Sequence, residues 1–169
     1  VGPDGQVTSS DNEGTWVPST PINWVKKGSF LGVEDTRHGN TAEFKQPLCY
    51  LSHSDFDNSG GGQVWVTSDK WPFKGEMLHM SYGQCRLFLV MKEEVKGVMQ
   101  GGVVQIPIKF TASAMRARFN PRHGQLYIPG PNGRQSSAPT LTRFDRCRST
   151  DNPFTPLPAH HATQATPQP

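Results

Sequence analysis

Long hydrophobic runs are missing from this sequence. The longest purely apolar stretch is Leu87-Phe88-Leu89-Val90-Met91, far short of the roughly 20 residues that span a bilayer as a helix. Uninterrupted helical periods are missing as well, because 17 glycines and 15 prolines break the chain too often for an amphipathic helix of about 12 residues. Cysteine is scarce: Cys49, Cys85 and Cys147 are far apart, odd in number, and form neither a Cys-x-x-Cys pair nor a haem-attachment Cys-x-x-Cys-His. They read as buried free thiols, with one disulfide and a leftover thiol as the alternative. The start lacks a signal-peptide pattern, and Val1 falls inside what reads as a strand-turn unit. That predicts a segment of a longer polypeptide with any targeting signal upstream. Gly60-Gly61-Gly62 lacks the Gly-Lys-Ser/Thr ending of a phosphate loop, and no Gly-x-Ser-x-Gly elbow occurs.

What is present is a repeat. Gly-Gln followed by an aliphatic residue recurs as Gly5-Gln6-Val7, Gly62-Gln63-Val64 and Gly124-Gln125-Leu126, about 60 residues apart. Two copies follow similar turns, Gly2-Pro3-Asp4-Gly5 and Asn120-Pro121-Arg122-His123-Gly124, in which proline presets φ and glycine takes the positive-φ position. Alternating apolar residues predict strands at Gln6–Ser9, Pro47–Leu51, Gln63–Thr67, Glu76–Met80, Arg86–Met91, Val103–Ile108, Met115–Phe119, Leu126–Ile128 and Leu141–Phe144. Turn chemistry between Arg86–Met91 and Val103–Ile108 falls at Val95-Lys96-Gly97 and Gln100-Gly101-Gly102. Trp16, Trp24 and Phe30 lie among prolines and read as an aromatic-lined packed loop, and residues 34–46 as a polar surface crossing. Up to four short strands per repeat suit an all-β propeller of about three partial four-stranded antiparallel blades over residues 1–150. A β-sandwich is the alternative. Residues 151–169, rich in proline, histidine and threonine, predict a disordered tail.

Net charge is +3, but its distribution is uneven: only Arg37 and Arg86 precede Met115, and seven arginines follow it. Between Arg116 and Arg148 the only carboxylate is Asp145, so this end carries positive potential. It reads either as a solvated basic rim or as a site for an anionic small molecule, which arginine grips with two parallel donors. No nucleic-acid signature accompanies it. In Met115-Arg116-Ala117-Arg118-Phe119, period two places both arginines on one face, about 7 Å apart, opposite Met115, Ala117 and Phe119. Arg116 and Arg118 are therefore the candidate ligand-binding pair, with exposed or aromatic-stacked strand arginines as the plain alternative. Asp55-Phe56-Asp57-Asn58-Ser59-Gly60 imitates the start of a calcium loop, but position twelve is Val66 rather than glutamate. An Asx-rich loop is the better reading, and no metal is expected. Glu93 and Glu94, beside Lys92 and Lys96, read as a solvated face.

Several words, taken in order, resemble one propeller family. They include Gly2-Pro3-Asp4-Gly5-Gln6, Ser10-Asp11-Asn12-Glu13-Gly14, Asn23-Trp24-Val25, Gln63-Val64-Trp65-Val66-Thr67-Ser68-Asp69, Ser81-Tyr82-Gly83, Gln100-Gly101-Gly102 and Met115-Arg116-Ala117-Arg118-Phe119-Asn120-Pro121. Over about residues 1–150 the chain resembles the C-terminal part of the membrane-bound, glucose/sorbosone-dehydrogenase-like six-bladed β-propellers of planctomycete-type bacteria, often fused to a c-type cytochrome domain. Departures concentrate late, at Arg134, where the family carries tryptophan, and at Arg146-Cys147-Arg148.

The resemblance implies a quinoprotein in which a sugar or aldehyde passes hydride to pyrroloquinoline quinone, an o-quinone with three carboxylates. Arg116 and Arg118, spaced to grip two carboxylates of one ligand, are then the candidate cofactor-binding pair. The catalytic histidine belongs to an earlier blade; His38, His53, His79 and His123 sit in no matching motif and read as turn or packing residues. The resemblance further implies haem c only in a fused domain outside this chain, a periplasmic or exported location, and, as partners, the remaining blades, a c-type cytochrome and the substrate. On this reading the chain alone is not a competent enzyme. The rival reading is a non-catalytic propeller that docks carbohydrate or a cytochrome.

Overall fold

The structure, a computed structural model, describes residues 1–12, 18–32, 44–110, 112–131 and 142–147, with the backbone alone for Lys109 and 142–147. The expected features at Trp16, His38 and Arg134, most of the polar crossing, the side chain of Cys147 and the tail 151–169 lie outside the described residues. Among the described residues every regular element is a strand: β1 (Val7–Ser10), β2 (Ser19–Val25), β3 (Cys49–Ser52), β4 (Gly60–Trp65), β5 (Met77–Ser81), β6 (Arg86–Val95), β7 (Val98–Lys109), β8 (Arg118–Phe119), β9 (Leu126–Pro131) and β10 (Thr142–Cys147). They form three antiparallel sheets, β1-β2-β3, β4-β5-β6-β7 and β8-β9-β10, each a meander in chain order.

The middle sheet is apolar on both faces, and this places it between the other two. In β5, Leu78 and Met80 join Leu87 and Leu89 of β6, Ile106 and Ile108 of β7, and Leu126 and Ile128 of β9 in one buried cluster. Residues of opposite parity, Met77, Phe88 and Val90, pack instead with Ile22 of β2 and Leu51 of β3. A strand buried on both sides reads as a continuous apolar run. Leu87-Phe88-Leu89-Val90 is buried throughout for that reason.

The β6–β7 hairpin closes at Val95↔Val98 through Lys96 and Gly97, both at positive φ (50° and 80°). This is the geometry of a two-residue primed turn whose twist matches the strands. The turn expected at Gln100-Gly101-Gly102 is instead ladder, with Gly101 opposite Lys92. Gly101 is required there because a Cβ would run into the carbonyl of Met91, while its N–H donates to Leu48 O at 2.9 Å.

β2 was expected as an aromatic loop and is a strand. It tolerates Pro21 because its two ladders are staggered: β1 pairs with Ile22–Val25 and β3 with Ser19–Ile22. Proline's missing N–H therefore faces a sheet neighbour on one side at most. The Gly-Gln repeat also takes a different meaning. Gly5 and Gly124 sit at positive φ (80° and 72°) and lead into β1 and β9, whereas Gly62 lies inside β4 at a register shift between Gly60 and Gln63. Its three copies do not occupy equivalent positions.

Cys49 and Cys85 are free thiols. Burial raises the Cys49 thiol from 9.0 to about 11, which lowers its thiolate fraction about 100-fold at neutral pH. Alkylation of Cys49 by iodoacetamide at pH 8, followed by peptide mass spectrometry, should run about 100-fold slower in the native protein than in urea; equal rates would contradict this burial. Unfolding returns the thiol to its ordinary value, so between about pH 9 and 11 the folded state holds the extra proton. Its contribution to stability therefore falls as pH rises through that window.

Candidate functional site

The first strands of the three sheets, β1, β4 and β8, border one open cleft of about 650 Å³, whose walls include Ser10, Gly62, Gln63, Trp65, Arg116 and Arg118. Gly60, Gly61 and Gly62 leave the β4 edge without side chains. Glycine is required at Gly61, where a Cβ would strike the carbonyls of Ala114 and Met80. That close approach is reinforced by Gly62 N–H donating to Met115 O at 2.7 Å. The same contact holds the irregular segment before β8 against the middle sheet.

Arg116 and Arg118 both reach this cleft, as the alternating pattern predicts, and Ala117 between them is buried. The pattern is not followed throughout: Met115, expected on the buried face, is exposed, because only Arg118–Phe119 pairs as strand. Each guanidinium is steadied by one bond to its own preceding carbonyl, Arg116 Nη1 to Met115 O at 2.9 Å and Arg118 Nη1 to Ala117 O at 2.8 Å. An arginine has five N–H donors, so most remain for a ligand. Arg116 lies over the glycine ledge, its Cδ and Nη1 3.2 Å from where a Gly62 Cβ would be.

Behind the opposite wall lies a buried polar network that sequence reasoning did not assemble. Asp57 and His79 are both fully buried, with Asp57 Oδ2 2.7 Å from His79 Nε2. Asp57 Oδ1 accepts from Ser81 Oγ at 2.6 Å and from Ser59 N–H at 3.1 Å, and Asp57 O accepts from Thr20 Oγ1 at 3.0 Å. Ser81 Oγ itself accepts from Gln84 N–H at 3.1 Å, which directs its hydrogen to Asp57. The far ring nitrogen, His79 Nδ1, stands 3.0 Å from Gln63 Nε2, and Gln63 Nε2 also reaches Ser10 Oγ at 3.0 Å.

Asp57 is the third position of the calcium-like loop. Its carboxylate is engaged by His79, Ser81 and Ser59, while Asp55 Oδ2 accepts from Ser52 at 3.2 Å and Ser54 at 2.8 Å. The two acidic side chains of the loop thus serve separate hydrogen-bond sets, and among the described residues no cluster of three or more His, Cys, Asp or Glu could hold a metal. His79 is a packing histidine. His53 Nε2 lies 2.8 Å from Asn12 O, and His123 is in a turn beside Tyr127. Gln63 and Ser10 had no chemical signal in the sequence beyond the Gly-Gln word, because their importance comes from strands 53 residues apart meeting at one cleft.

The fold and site define an all-β protein of three stacked antiparallel sheets with a basic cleft at their first strands. No family model, curated protein or solved structure matches the chain.

Proposed function

We propose that the three sheets are consecutive blades of a β-propeller segment and that the cleft is part of its axial mouth, where Arg116 and Arg118 hold a small polycarboxylate. The observation that carries this reading is the shared cleft: three meanders, each in chain order, present their first strands to one space. Blades packed face to face around an axis bring their first strands together in this way. The spaces between the sheet faces are filled by the two apolar clusters, so the room for a ligand lies at the strand edges.

The ligand is a quinone of the pyrroloquinoline type, bound for a parent dehydrogenase that oxidises sugars or aldehydes. The residues fit such a group: two guanidinia with unspent donors stand for its carboxylates, and the space of about 650 Å³ is within the range of small-molecule sites. When bound, the quinone supplies the hydride acceptor. Arg116 and Arg118 bind and orient it. No histidine lines the cleft among the described residues, so the proton-abstracting base is assigned to other blades of the parent, in an exported or periplasmic protein with a c-type cytochrome as electron acceptor.

Equilibrium titration of pyrroloquinoline quinone against tryptophan fluorescence tests the site. Arg116→Glu/Arg118→Glu should weaken binding at least about 100-fold, since a charge-assisted bond contributes roughly 1.5–3 kcal/mol and reversal adds repulsion. Unchanged affinity in the double variant would remove the site.

A further inference from the structure

We infer that the cleft selects anions that also bear a hydroxyl or N–H donor, because the buried Asp57 fixes Gln63 as a hydrogen-bond acceptor on the cleft wall. The inference rests on the reading of Arg116 and Arg118 as an anion site and names what else their ligand must carry.

The polarity is set by a chain of donors and acceptors with one consistent direction. The Asp57 carboxylate receives only donors, from Ser59, Ser81 and His79. The His79 nitrogen facing it, Nε2, donates, and the neutral tautomer with its proton there makes Nδ1 the acceptor that Gln63 Nε2 faces at 3.0 Å. Gln63 must turn its NH₂ towards Nδ1. Ser10 accommodates the same choice: its Oγ is 3.0 Å from Gln63 Nε2, and Gly61 O, at the longer 3.4 Å, is where its own hydrogen can turn. Both amide hydrogens of Gln63 are then engaged, and Oε1 receives no donor from any described residue on a side chain that lines the cleft.

An acceptor with no protein donor in a ligand cleft discriminates between ligands. A carboxylate placed against Oε1 meets like polarity, whereas a hydroxyl or N–H completes the hydrogen bond. Gln63 faces the β1 side of the β4 edge and Arg116 lies over Gly62 on the other. A ligand spanning the cleft therefore meets the anion-binding donors at one end and the acceptor at the other. Gln63 is the specificity-determining residue of the pair, and Asp57 and His79 are positioning residues that act through it.

Citrate and tricarballylate, which differ by one hydroxyl group, test this by isothermal titration calorimetry on the full chain. Citrate should bind wild type about tenfold more tightly, the value of one net hydrogen bond. In Gln63→Met the preference should fall to within about twofold, with Ser10→Ala, which releases the amide, reducing it in the same direction if Gln63→Met does not fold. Arg116→Glu/Arg118→Glu should weaken both anions alike. Equal binding of the two anions to wild type, lost in the arginine variant, would overturn the inference and leave the arginine site standing. So would a citrate preference that persists in a folded Gln63→Met or Ser10→Ala. Binding of neither anion would overturn both readings.

Discussion

Asp57→Ala should cost the fold about 3–5 kcal/mol, measured as the loss of unfolding free energy in urea by tryptophan fluorescence, since three buried donors lose their acceptor at about 1–3 kcal/mol each. The side chains of Asp57 and His79 are both 0% exposed, so water cannot replace the lost acceptor. Ser81 Oγ and Ser59 N–H lose their partner at the same time. The loss is comparable to the whole stability of a marginal domain. Asp57→Asn tells the hydrogen-bond direction apart from the charge. The amide oxygen can keep Ser59 and Ser81, but its NH₂ then opposes the His79 Nε2–H, and the ring must change tautomer against Gln63. A loss between wild type and Asp57→Ala is expected for it, and a loss below about 1 kcal/mol in Asp57→Ala would show that the network does not hold these strands.

Phe88→Ala should cost a similar amount, about 3–5 kcal/mol, because truncating a fully buried aromatic adds a cavity to the lost transfer energy. Phe88 is 0% exposed and pairs across β5 with His79, their rings 6.4 Å apart, with Phe56 6.2 Å away on the loop side. Its ring packs beside the polar network in the cluster that joins the first and middle sheets. Truncation therefore admits water next to the His79–Asp57 pair as well as emptying apolar volume. Met91, three residues along the same strand, is 55% exposed, and Met91→Ala should change stability by no more than about 0.5 kcal/mol. Equal effects at the two positions would show that the first and middle sheets do not share this core.

The strands that could be read from the chain are those whose side-chain pattern is decided locally. β5, β6 and β7 carry dense apolar residues and a Lys-Gly turn, so the sequence places their apolar stretches, but not the outer rungs Lys92–Val95 and Val98–Gly102 of the hairpin. β2 was not legible, since Pro21 argues against a central strand until the staggered pairing of β1 and β3 is known. Gly101 and Gly102 look like a turn for a related reason: glycine signals both positive φ and close approach, and only the neighbouring Leu48 and Met91 backbones show which applies. For the site, the alternation around Ala117 was enough to set Arg116 and Arg118 on one exposed side.

By itself, then, the sequence determined the all-β character, the Lys96-Gly97 turn and the paired arginines, because strand period, turn residues and charge spacing act over a few residues. Tertiary structure decided which strands face one another and hence that β1, β4 and β8 share a cleft. It turned Asp57 from one acidic residue of an Asx-rich loop into the anchor of a buried network, and Gln63 from a repeat marker into the acceptor on the cleft wall. Those roles depend on contacts such as Asp57–His79 and Ser10–Gln63, 22 and 53 residues apart. The direction of a hydrogen bond in such a contact is set by partners that no local pattern names.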